Sequence, residues 1–148
     1  ETPYFLPTEP ILFAIRTAAL SGVDVRLMIP MYGYAKLVEW ACKSYLGEIV
    51  EAGAKVLLYK AGFNHSKLLV SDDYFCTCGS TNIDFRSFEN NFECNIFFYD
   101  KDLALRIKEI YLNDEKDCVD IEEIRDYTHR SFATRLWESI VRLLSPLL

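Results

Sequence analysis

Strand and helix signals alternate along this chain and predict an α/β fold, with a mixed β-sheet sandwiched between helices in α/β/α layers. Three observations carry the prediction. Residues 23–30, "VDVRLMIP", and 55–60, "KVLLYK", read as strands, and each follows a helical stripe closed by a glycine, Gly22 or Gly53. Segments 66–71 and 74–78 are separated by only Asp72-Asp73, which permits an antiparallel hairpin and no parallel pair. The chain then ends in helical patterns. Parallel-type alternation plus a hairpin makes the sheet mixed.

Each element has a local reason. "ETPYF" resembles the second half of a strand. Thr8 is the expected N-cap of the first helix and Pro10 falls in its first turn. Ile11, Leu12, Ile15, Ala18 and Ala19 form its apolar stripe. "MYGYA" is a loop. Residues 36–52 read as a helix with Leu37, Trp40, Ala41, Leu46, Ile49 and Val50 on one face. "FECNIFFYD" is a further strand, residues 101–113 a helix, and "NDEKD" a solvated break. Residues 120–127 and 129–145 read as helices. The Phe/Tyr-rich strands and Trp40 are expected in the core.

The length of 148 residues suits a single domain, 1–148, with a sizeable core. The start without Met, on what resembles half a strand, predicts a piece of a longer protein. With 22 acidic and 16 basic residues the net charge is −6, which argues against nucleic acid as a partner, since broad binding to it needs a basic face. Five cysteines form no paired framework and are expected as reduced thiols. Cys76 and Cys78 are expected as two buried apolar thiols. No metal and no cofactor is expected, because no His/Cys/Asp ligand cluster is evident. No run reaches the roughly 18 apolar residues of a membrane span.

The chemistry concentrates in "GFNHSKLLVSDDYFCTCGSTNIDF", residues 62–85. Side chains two apart on a strand share a face, which pairs His65 with Lys67, Ser80 with Asn82, and Glu93 with Asn95. Such polar pairs on a covered sheet need partners, and a bound anion is a simple one. An imidazole attacks phosphorus and splits one hard step into two. A lysine ammonium neutralises phosphate oxygens, and Ser and Asn donate to them. A carboxylate on the far ring nitrogen orients the histidine, and Glu93 is the candidate.

"HSKLLVSD" and "GSTN" fit His-x-Lys-x4-Asp-x6-Gly-Ser-x-Asn, the signature of the phospholipase D superfamily. The surrounding "ETPYFLPT", "SGVDVRLMIP", "GSTNIDFRSFENNFE" and "RLLSPLL" resemble the C-terminal half of bacterial cardiolipin synthases. The resemblance implies phosphatidyl transfer through a phosphohistidine, joining two phosphatidylglycerol molecules into cardiolipin and glycerol. It implies that His65 is a nucleophile or acid/base, that Lys67, Ser80 and Asn82 hold phosphate, and that Glu93 orients His65. Asp72 belongs to the signature, and its place at the hairpin gives it a structural role. The same site with water as acceptor would be a hydrolase, and an isolated half could be inactive.

The family builds one site from two such motifs, and this chain carries one. His129 is followed by "RSF" and cannot supply the other; it reads as a surface residue. The implied partners are an anionic phospholipid (phosphatidylglycerol), an alcohol acceptor, a membrane surface, and a second motif from the parent's N-terminal half or a homodimer partner. The resemblance places the parent at the bacterial cytoplasmic membrane, with this piece soluble or peripheral on the cytoplasmic side. Arg86 is expected to pair with a carboxylate such as Asp84 or to touch phosphate. Residues 129–148 form an expected amphipathic helix, with Phe132, Leu136, Ile140, Leu143, Leu144 and Leu147 opposite Arg135, Glu138, Ser139 and Arg142. Its apolar side either packs on the domain or lies in a membrane interface, with Trp137 at headgroup level.

Overall fold

The computed structural model describes residues 1–33 and 35–147. Tyr34, in the loop predicted at 31–35, and Leu148, the last residue of the predicted C-terminal helix, lie outside the described residues. The strands are β1 (Phe5–Leu6), β2 (Arg26–Pro30), β3 (Lys55–Tyr59), β4 (Leu68–Ser71), β5 (Phe75–Gly79), β6 (Ile83–Asp84), β7 (Asn95–Tyr99) and β8 (Cys118–Asp120). The helices are α1 (Glu9–Leu20), α2 (Lys36–Glu51), α3 (Phe85–Glu89), α4 (Lys101–Glu115), α5 (Arg125–Thr128) and α6 (Phe132–Arg142).

β2 and β3 pair in parallel and β8 adds antiparallel to β3. β4, β5 and β7 form an antiparallel sheet, and β1 and β6 a short parallel pair. The first two residues join these pieces. Glu1 exchanges backbone hydrogen bonds with Leu68 beside β4 (2.7 and 3.2 Å), while Thr2 N–H donates to the Met28 carbonyl of β2 (3.1 Å). The layer therefore runs β8-β3-β2-(Glu1–Thr2)-β4-β5-β7, and it is mixed.

Strand alternation sends side chains to two cores. Leu27, Ile29 and Val56 face α1, α2 and α6, together with Leu12, Leu46 and Ile49. Met28 and Leu57 face the other way, onto Tyr111 of α4. Each fully buried aliphatic side chain contributes about 1.5–3 kcal/mol. The three-layer prediction holds.

Several details differ from the sequence reading. α4 runs on to Glu115 through part of the predicted break. Residues 118–120 form a strand that was not anticipated, because three residues carry no measurable period, and the helix expected over 120–127 is not continuous. Only α5 and a short 3-10 turn follow it. α6 starts at Phe132 because Ser131 caps it, its oxygen accepting from Thr134 N–H (3.1 Å). β6 and α3 were not anticipated. The aromatic strands β5 and β7 are not all core: Phe97, Tyr99 and Tyr74 are exposed. Leu69, Phe75, Thr77, Phe97 and Tyr99 share one uncovered face by their register. Of the thiol pair expected to be buried, Cys76 is buried and Cys78 is exposed.

Candidate active site

The hairpin fixes one end of the site. Asp72 and Asp73 both hold positive φ (53° and 54°), the backbone of a two-residue primed turn that matches strand twist. The Ser71 hydroxyl donates to Asp72 (2.9 Å), and Lys108 of α4 pairs with Asp73 (2.6 Å). Asp72 thus sits in the turn, a whole strand away from His65.

His65 and Lys67 lie just ahead of β4, in extended chain that continues the register; Gly79 N–H donates to the Lys67 carbonyl (3.2 Å). The Lys67 ammonium lies 3.1 Å from each ring nitrogen of His65 and donates to the His65 carbonyl (2.8 Å). Phe63 stacks with the imidazole, with centroids 5.8 Å apart. Partial burial lowers the Lys67 ammonium below the usual lysine range, and Glu93 and Asp84 oppose that through space.

Gly79 leaves room for the opposite strand. A Cβ there would collide with the Asn95 side-chain oxygen and the Cys94 carbonyl oxygen, and would lie 2.6 Å from the Asn95 Cα. Asn95 crosses this gap and donates to the Thr81 hydroxyl (2.6 Å). Ser80 N–H donates to the Cys94 carbonyl (3.0 Å), and Cys94 N–H donates back to the Ser80 oxygen (3.0 Å).

The Ser80 hydroxyl donates its proton to Glu93 Oε2. The other Glu93 oxygen accepts from Ser87 (3.0 Å) and Asn91 (3.3 Å). These bonds, with the Ser80 bond foremost, hold the Glu93 carboxyl below the usual carboxylate range. Both oxygens are occupied by hydroxyl and amide donors, and no hydrogen bond joins Glu93 to His65 among the described residues. Glu93 lies close enough to Lys67 for each to act on the other's charge.

Asn82 is held by its N–H to Ser87 (3.2 Å) and its amide to Asp84 (3.0 Å), while its buried Oδ1 has no partner among the described residues. Asp84 caps α3 by accepting from Ser87 N–H (2.7 Å). The expected ion pair between Asp84 and Arg86 is absent among the described residues; Asp84 is turned to the α3 cap and the Asn82 amide. Arg86 instead lines a cleft of about 320 Å³ together with Tyr4, Asn82 and Asn91. Ser87, Asn91 and Phe63 were not singled out from the sequence. Asp84, three residues before Ser87, was the available capping signal.

Residues 1–114 match the family described as cardiolipin synthase, phospholipase D-like domain. The cardiolipin synthase of Clostridium perfringens is 44% identical over 148 residues, covering 100% of this chain and 31% of that protein. That of Geobacillus thermodenitrificans is 44% identical over 147 residues, covering 99% of this chain and 29% of its own length. This chain therefore spans about a third of the curated relatives it matches. Phosphatidylserine synthase of Haemophilus influenzae superposes with a TM-score of 0.75 at 16% identity, over 99% of this chain and 40% of that one; at that identity it speaks to the fold alone. The motif, the layered fold and these matches agree, and the chain belongs to the cardiolipin synthase, phospholipase D-like domain family.

Proposed function

We propose that this chain supplies one half of a phosphatidyltransferase site that makes cardiolipin from two phosphatidylglycerol molecules. The observation that carries the reading is the Lys67 ammonium set against the His65 imidazole at the open end of β4. A phosphodiester bound there meets a nucleophile and a cation together. A His65 ring nitrogen attacks phosphorus, a phosphorus–nitrogen bond forms, and the glycerol alkoxide leaves and takes a proton from a second acid. The hydroxyl of another phosphatidylglycerol then attacks the phosphohistidine, loses its proton to that same group, and frees His65. Lys67 and Arg86 offset charge building on the phosphate oxygens. The Ser80 hydroxyl and the Asn82 amide, held by Glu93 and Asp84 in the free chain, would turn to donate to the phosphate when it binds. The names of the relatives support the lipid substrate.

The second acid is taken from another copy of the motif, in a longer parent or a second chain. The uncovered face of β4, β5 and β7 supports this, since Lys67 and Asn95 continue it by register. A bilayer surface is the source of the substrate.

Product analysis tests the reading. A preparation with both motifs, given phosphatidylglycerol, should yield cardiolipin and glycerol, with radiolabelled phosphate trapped on His65 after acid-free quenching. Phosphatidic acid without cardiolipin would replace transfer with hydrolysis.

A further inference from the structure

α6 is mounted with its polar side inward. Glu138 is buried (side chain 3% exposed) and pairs with Arg130 at 2.6 Å. Arg142 pairs with Glu48 of α2 and lies over the Tyr45 ring, 4.0 Å from its centroid. The Tyr45 hydroxyl donates to the Ser145 oxygen at 3.2 Å. These contacts use the polar face to dock the helix on α2. The opposite stripe, Phe132, Leu136, Ile140, Leu143 and Leu147, is exposed, with Phe132 at 82% and Leu143 and Leu147 at 78%. A helix of a water-soluble surface turns the other way.

We propose that this stripe inserts into the interface of a bilayer containing anionic phospholipid, seating the domain with its site at the lipid surface. Of the three arginines in residues 129–148, Arg130 and Arg142 are spent on Glu138 and Glu48, which leaves Arg135 as the charge available to an anionic headgroup. Arg135 is exposed on the flank of the stripe. Both tryptophans meet at its other edge, Trp137 edge-on to Trp40 with centroids 6.0 Å apart, as suits the headgroup level. Position favours it too. The 3-10 turn Ser145–Leu147 packs beside α3, whose Ser87 holds Glu93 and Asn82. Phe88 of α3 and the fully exposed Phe92 carry apolar surface from there to Glu93. No described helix is long and apolar enough to cross a membrane, so the stripe would lie along the interface.

The inference rests on the phospholipid reading of the site, and the test separates the two. The 148-residue chain is mixed with sucrose-loaded vesicles of phosphatidylcholine, with and without phosphatidylglycerol. It should sediment with the mixed vesicles. A Phe132→Ser, Leu136→Ser, Leu143→Ser chain should partition at least ~100-fold less, since each side chain withdraws apolar surface from lipid. A His65→Ala chain should bind like the parent sequence, whatever becomes of turnover. Unchanged partition of the triple variant overturns the proposal, as does a triple variant that only converts a dimer to a monomer. A Trp40→Phe chain leaves the stripe intact and makes Trp137 the sole tryptophan. Its emission should be quenched by brominated phosphatidylglycerol vesicles, and no quenching overturns the proposal independently of the serine variants.

Discussion

The Lys67 ammonium stands 3.1 Å from both nitrogens of the His65 ring and 2.8 Å from the His65 carbonyl. One side chain thus occupies the space beside the imidazole that, under the proposed function, a phosphate oxygen would share with it. Lys67→Ala should lower turnover by at least ~10²-fold, the loss typical of one such electrostatic contact. Steady-state kinetics on a preparation with both motifs reads this, and full retention removes Lys67 from the site.

The same lysine sets an alkaline limit. Its folded pKa lies below the ordinary 10.5 because burial disfavours the charged form. Phosphate binding should therefore weaken as pH rises through a value under 10.5, earlier than for a solvent-exposed lysine. Lys67→Arg keeps its charge and should move that limb upward in a vanadate or phosphate titration. An unmoved limb assigns it to another group.

Glu93 predicts an acid limit. Its folded pKa is depressed by Ser80, Ser87 and Asn91, so its stabilising contribution is present above the unfolded value and is lost as pH falls through the folded one. Urea midpoints should drop more steeply below pH 4.5 for this chain than for Glu93→Gln, which has no such titration. Parallel profiles would mean that the three hydrogen bonds contribute nothing in solution.

Gly79→Ala should destabilise at the upper end of the roughly 1–3 kcal/mol typical of overpacking, because the new Cβ meets not only the Asn95 side-chain oxygen, which can turn away, but also the Cys94 and Asn95 backbone, which cannot. Thermal melting measures it. By contrast Asp72→Asn keeps a residue tolerant of positive φ and should leave activity within a few-fold. A loss beyond ~100-fold would give Asp72 a part in the chemistry.

Arg130→Met should cost about 3–5 kcal/mol, because it strands the buried Glu138 carboxylate, which burial already pushes above its usual range. Replacing both partners, Arg130→Met with Glu138→Leu, should recover most of the loss. Denaturant unfolding of the two variants gives the comparison.

The layered fold was legible because helix and strand periods differ and because two residues between strands admit only a hairpin. The motif itself was legible because His65, Lys67, Ser80 and Asn82 are close in sequence and flank one hairpin, β4–β5. Short elements were not: β6, β8 and α3 are too brief to show a period. Nor was the work of Glu93, whose partners Ser87 and Asn91 come from a helix that Asp84 caps and the loop after it.

Composition and pattern alone decided the class of fold, the family motif and the amphipathic character of the last helix. Only the tertiary structure decided which side of that helix faces out. Period fixes the angle between two faces of a helix, but its rotation depends on what it meets, and here Glu48, Tyr45 and Arg130 from other elements drew the charged side inward. Arg86 shows the same dependence on packing: its sequence neighbour Asp84 is turned to the α3 cap and Asn82, and the guanidinium lines the cleft.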